Sequence, residues 1–165
     1  MKIKCIPVGY LQANCYILEK NNKAILIDPG DNEVLISEKL GELELVGILV
    51  THNHFDHVGA LSYFEDKYNL KHNEKVEGWN YEVIETKGHS KDSVSFYFSQ
   101  DNVLFTGDFI FKGSIGRMDL PGGDEVDMKN SLEKINDFDD NIIVYPGHGV
   151  KTILHEEKKL FKYYF

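Results

Sequence analysis

Basic residues are in short supply: 18 Lys and Arg stand against 27 Asp and Glu in 165 residues, a formal charge of −9. Gripping a phosphate backbone needs a basic face, so nucleic acid is not the expected partner, and neither is an anionic membrane surface. Cysteine is scarce as well. Cys5 and Cys15 form no CxxC pair and lie far from the histidines. Both are expected to be reduced, buried and structural, a disulfide between adjacent strands being the alternative. No apolar run is long enough to span a bilayer, and Met1 to Pro7 lacks the apolar core of a signal peptide, so the expectation is a cytoplasmic protein. There is no internal repeat, low-complexity tract or interdomain linker. One domain over residues 1–165, with a substantial core, is expected.

Against these shortages stands one dense stretch, Thr51-His52-Asn53-His54-Phe55-Asp56-His57-Val58-Gly59. It follows the apolar run Leu45–Val50, which reads as a buried strand. Imidazole and carboxylate are the usual ligands of zinc and non-haem iron. Period-two alternation puts His52 and His54 on one side of the loop. Asp56 and His57 come where the loop enters a helix and can address a second point. Two donor pairs in one loop predict two divalent metal ions, most readily zinc, with iron or manganese as alternatives.

The rest of the chain alternates strands and helices. Strands are expected at Ile3–Val8, Cys15–Leu18 and Ala24–Ile27, a helix over Asn32–Leu43, and the strand Leu45–Val50. One helix is expected from Val58 to Tyr68, with Val58, Leu61 and Phe64 at helical spacing. Residues 69–78 are polar and irregular. Tyr81–Glu85 reads as a strand, Val94–Phe98 and Asn102–Thr106 as a hairpin, and Lys112–Gly123 as a glycine-rich loop. A helix follows from Asp124 to Ile135, then a strand at Ile142–Tyr145 and a helix from Leu154 onward. The aromatic tail Leu160–Phe165 is expected to pack over the core, a dimer contact being the alternative; the chain is read as a monomer or homodimer. This order fits sheets covered by helices.

Three later loops share a design: each follows an apolar strand and sets a donor beside glycine, in Gly88-His89, Gly107-Asp108 and Gly147-His148-Gly149. Glycine there permits tight turns and close backbone approach. With the first loop this gives seven candidate donors: His52, His54, Asp56, His57, His89, Asp108 and His148. Two ions, an aspartate bridge and a shared water need about that number. His72 and His155 lack this setting and are read as solvated.

These motifs, with Asn14-Cys15-Tyr16, Asp28-Pro29-Gly30, Gly113-Ser114-Ile115-Gly116-Arg117 and Asp119-Leu120-Pro121-Gly122-Gly123, resemble the metallo-β-lactamase superfamily, most of all its glyoxalase II branch. The resemblance covers nearly the whole chain. It implies an α/β fold, an αββα sandwich of two facing mixed sheets with helices outside. It implies His52, His54 and His89 on one ion, Asp56, His57 and His148 on the other, and Asp108 bridging. It places Arg117 where a basic residue contacts glutathione; a surface arginine paired with Asp119 is the other reading of that residue. In β-lactamases of the superfamily the Asp108 position is typically cysteine or another non-bridging residue, so aspartate argues against β-lactam hydrolysis.

Two departures from the family pattern stand out. No helical C-terminal domain follows His148, and only 31 residues (58–88) separate His57 from His89. The second predicts a more open pocket and a sheet short of an edge. The expected activity is hydrolysis of a small thioester, of the hydroxyacylglutathione type, by a metal-bridging hydroxide, with Asp56 orienting the nucleophile. Two rivals remain. Gly116-Arg117-x-Asp119 also resembles the persulfide dioxygenases of the superfamily, which use a single iron. The third reading is a metal-binding protein without catalysis.

Overall fold

A computed structural model describes residues 1–165 as two compact units, 1–79 and 80–165. The first unit opens with β1 (Lys2–Val8), β2 (Ala13–Lys20) and β3 (Lys23–Ile27), all antiparallel neighbours. Asn21 and Asn22 both take positive φ, 52° and 61°, the two-residue turn whose twist suits a hairpin. After α1 (Glu33–Leu40) the chain returns as β4 (Glu44–Leu49), parallel to β3. Helix α1 starts where the Asn32 side chain accepts the Leu35 amide, an N-cap with left-handed backbone at φ 55°. The sheet order is β1-β2-β3-β4. Strands β2 and β3 are near-continuous apolar runs, fully buried along most of their length.

The single helix expected over Val58–Tyr68 is instead two, α2 (Phe55–Val58) and α3 (Leu61–Tyr68). The break has a tertiary cause. The Ala60 amide bonds to the Pro29 carbonyl at 2.9 Å instead of continuing the helical ladder. The loop after β3 thus lies directly on the α2 turn, and only glycine allows it so close. A Cβ on Gly30 would stand 1.7 Å from the Asp56 carbonyl oxygen, and one on Gly59 would stand 2.3 Å from that of Gly30.

Residues 69–78 hold no strand, yet they cover the edge of β4. The Asn73 amide donates to the Ile48 carbonyl at 2.9 Å. Its side-chain oxygen accepts the Val50 amide at 2.8 Å, and its side-chain nitrogen donates to the Val50 carbonyl at 3.1 Å. One asparagine thus does what a neighbouring strand would do for that edge. Cys5 is a correction: it is exposed, although Cys15 is buried and both thiols are free. Cys5 sits on edge strand β1 at the parity of Ile3 and Pro7, opposite the inward Ile6 and Val8. Burial pushes the Cys15 thiol well above its ordinary range, which keeps it an inert core group.

The second unit carries β5 (Glu82–Glu85), β6 (Val94–Phe98), β7 (Val103–Gly107), β8 (Ile110–Phe111), β9 (Ser114–Ile115), α4 (Glu125–Asn136), β10 (Ile143–Pro146), β11 (Thr152–Ile153) and α5 (Leu154–Phe161). Its main sheet runs β11-β10-β7-β6-β5, with β10 parallel to β7 and the other pairs antiparallel. The β6–β7 hairpin lies as expected, and Asp124 caps α4 by accepting the Asp127 amide. The small β8–β9 hairpin, whose second strand lies in the segment read as a glycine-rich loop, and strand β11 were not expected. Two-residue strands are too short for alternation to register. Leu104, Phe109, Met128, Leu132, Ile135 and Val144 form the core of this unit, and Phe161 and Tyr164 of the tail pack on it. Tyr163 and Phe165 of the tail stay exposed.

Candidate metal centre

Strand direction gathers the donors. In the first unit β3 and β4 are parallel, so the segments after them, Asp28-Pro29-Gly30 and the histidine loop, leave the same end of the sheet. In the second unit β5 and β7 are each antiparallel to β6 and therefore point the same way, and β10 is parallel to β7. The loops carrying His89, Asp108 and His148 follow β5, β7 and β10, so all three open at one end.

The first unit brings His52, His54, Asp56 and His57 together. The His52 Nε2 and His54 Nδ1 are 3.1 Å apart, their rings edge to face. Two nitrogens bound to one tetrahedral zinc at ~2.0–2.1 Å would stand about 3.3 Å apart, so this spacing fits a shared ion. The His57 ring centroid is 4.3 Å from that of His52, and His57 Nε2 lies 3.5 Å from Asp56 Oδ2. Behind them sits Asp28, buried and held at φ 50°. Its Oδ2 accepts from His57 Nδ1 at 2.9 Å and from the Thr51 hydroxyl at 2.6 Å, and its Oδ1 accepts the Thr51 amide at 2.7 Å. The Thr51 oxygen in turn meets His52 Nδ1 at 3.0 Å. His52 and His57 therefore each use Nδ1 inward and aim Nε2 outward, the arrangement that prepares imidazole for a metal. A cavity of about 160 Å³, lined by Tyr10, Leu11 and Phe55 among others, adjoins Asp56.

The second unit brings His89, Asp108 and His148 together. One oxygen, Asp108 Oδ2, lies 3.5 Å from His89 Nε2 and 3.6 Å from His148 Nε2. Both spacings are long for hydrogen bonds and suit a carboxylate oxygen that shares one cation with each histidine. His89 Nδ1 donates to the Arg117 carbonyl at 2.8 Å, which again leaves Nε2 for a ligand role. Arg117 reaches this position because Gly116 packs on the Asp108 backbone; a Cβ there would be 1.8 Å from the Asp108 carbonyl oxygen.

The Arg117 guanidinium itself is exposed and forms a two-pronged pair with Asp119, 2.7 Å on each prong. Its hydrogen bonds hold the Asp119 carboxyl down at about 2. His72 is half-buried on Glu65, and His155 is exposed on Asp140. Three partners of the donors escaped sequence reasoning as site residues: Asp28, Thr51 and the Arg117 carbonyl. Asp28 carried a signal, an acid at the end of an apolar strand beside Pro-Gly. A backbone carbonyl carries none.

The chain matches the family described as "Metallo-beta-lactamase superfamily" over residues 8–72 and 72–148. It belongs to the metallo-β-lactamase superfamily. Among curated relatives, the hydroxyacylglutathione hydrolase GloC of Haemophilus influenzae is 30% identical, covering 96% of each chain. Among solved structures, the BLEG-1 B3 metallo-beta-lactamase superposes with a TM-score of 0.88 at 32% identity, covering 96% of this chain and 97% of that one. TTHA1623, crystallised in a di-iron-bound form, superposes with a TM-score of 0.81 at 30% identity, covering 93% and 96%. The expected α/β metallo-β-lactamase fold is the observed one. The superfamily and its metallo-hydrolase relatives support a metal-dependent hydrolase. No helix in it is long and apolar enough to cross a membrane.

Proposed function

We propose that this chain is a two-metal hydrolase that cleaves small thioesters of the acylglutathione class. In this reading His52, His54 and His89 hold one divalent ion, Asp56, His57 and His148 the other, and Asp108 bridges them. The observation that carries it is the single Asp108 oxygen set almost equally from the Nε2 atoms of His89 and His148. We favour zinc, with iron as the rival suggested by the di-iron form of TTHA1623. When bound, such ions polarise a carbonyl and bring the pKa of a water toward ~7.

The remaining work falls to the chain's own groups. Asp56 orients the attacking water with its carboxylate. The apolar walls of the cavity at Tyr10, Leu11 and Phe55 take the acyl group. Arg117 receives a carboxylate of the thiol moiety, exchanging Asp119 for it. A thiolate leaves readily and asks for little acid help. The thioester class is supported by the name of the Haemophilus relative and by aspartate, not cysteine, at position 108.

The test is turnover by protein of measured metal content against S-lactoylglutathione, other thioesters, a cephalosporin and glutathione persulfide. Thioester cleavage is expected, with D108N lowering kcat roughly 100-fold or more, since even groups behind the ligands are worth ~10–100-fold. A loaded protein that cleaves no thioester overturns the assignment. Oxygen uptake on the persulfide with one iron per chain would instead make it an oxidoreductase.

A further inference from the structure

We propose that Glu157 is a positioning residue whose buried carboxylate staples the tip of the β8–β9 hairpin to the end of the loop that carries His148. The inference rests on the two-ion reading above. Glu157 lies in the first turn of α5 and is 3% exposed. Its Oε2 accepts the Gly113 amide at 2.8 Å, and its Oε1 accepts the Thr152 hydroxyl at 2.6 Å. Keeping a carboxylate out of water is costly even when its oxygens are bonded, and an apolar side chain would seat a helix on a core at less cost. What the carboxylate supplies is a tie between two segments that are far apart in the chain.

Both ends of the tie bear on His148. Gly113 is at the tip of a hairpin with two residues in each strand, a length that is marginal without outside support. Packing does not hold the tip, since a Cβ on Gly113 would meet nothing within 4 Å. In that hairpin Phe111 sets its ring edge to face with His148, the centroids 6.2 Å apart. Thr152 closes the other side. It opens β11, so residues 147–151, His148 among them, run between β10 and the tie. One carboxylate thus fixes the ring that flanks His148 and the end of the loop that bears it. His89 does not depend on the tip. Its Nδ1 bonds to the Arg117 carbonyl beyond the hairpin, where the neighbouring Gly116 amide is tied back to the Phe109 carbonyl at 3.1 Å. Cutting the tie therefore loosens His148 and leaves His89 set.

The test is cobalt titration of chelator-stripped protein, followed by visible absorption. Wild type is expected to take two ions per chain. E157Q keeps the size of the side chain but puts an amide nitrogen where one of the two acceptors stood. It should keep one site at wild-type affinity, weaken the other about 10-fold and alter the absorption of the weakened site alone. F111A should do the same, and the double variant should bind no more weakly than either single one, as members of one chain of contacts do. In H148A, which lacks the ligand itself, adding E157Q should change nothing further. Two unchanged sites in E157Q, two equally weakened ones, or additive losses in the double variant would overturn the staple. NMR of the metal-free wild type needs no variant and no ion. It should find the Gly113 amide slow to exchange and a nuclear Overhauser contact between the Phe111 and His148 rings. A Gly113 amide that exchanges as fast as an unbonded turn amide would refute the staple whatever the ions do. One ion per chain in wild type would refute the two-ion reading instead, and the NMR result would then decide the staple by itself.

Discussion

Arg117 and Asp119 show how much one residue's neighbour decides. The guanidinium grips both carboxylate oxygens, so Asp119 ionises at about 2, where a free aspartate would ionise at ~3.9. A depressed carboxyl contributes stability that is present above its unfolded value and lost as pH falls through the folded one. The window here lies below about pH 4. The pair is exposed, so its share of stability is small. A carbon-detected NMR titration should place the Asp119 midpoint near 2 and return it to about 3.9 in R117A; an unmoved midpoint would contradict the pairing. At neutral pH an anionic substrate bound by Arg117, as proposed, would compete with Asp119 for it. D119N should therefore lower KM for acylglutathione substrates several-fold and change kcat little. A KM unchanged in D119N would leave Arg117 as a surface ion pair.

At the level of elements, the loop after β3 and the helix α2 depend on each other through one glycine. G30A would drive a methyl into the Asp56 carbonyl, in a place where both sides are backbone and neither can rotate away. The expected loss is about 3 kcal/mol or more, read by urea unfolding. Because Asp56 and His57 lie on α2, zinc affinity should fall as well. A G30A protein as stable as wild type would show that the loop can separate from the helix at no cost. The strands with apolar runs, and the helices with capped starts such as Asp124 before α4, were legible in the sequence. The break between α2 and α3 was not, because it arises from the Pro29 carbonyl, 31 positions before Ala60 in the chain. Nor was the role of Asn73, which lies in a segment without periodicity and takes its meaning from the β4 edge beside it.

For the whole molecule, ions that bind the folded chain and not the unfolded one raise its stability by mass action. Free zinc at 100 times Kd contributes about 2.7 kcal/mol, which for a chain of this size moves Tm by roughly 5–10 °C. Chelator treatment should lower Tm by that order, and added zinc should restore it. A Tm indifferent to both would mean that the histidine loop and its partners do not bind ions tightly.

The sequence by itself determined the donor chemistry, since imidazole and carboxylate beside glycine at the ends of apolar strands are matters of residue type and spacing. It also determined the family, through motifs spread over most of the chain. Tertiary structure alone decided which nitrogen His57 and His89 offer. That choice is made by a hydrogen bond to the other nitrogen, and the partners come from afar: Asp28 lies 29 residues before His57, and the Arg117 carbonyl lies 28 residues after His89. It decided the fate of Cys5 too, because burial depends on which face of an edge strand is covered, and nothing in the local sequence records that.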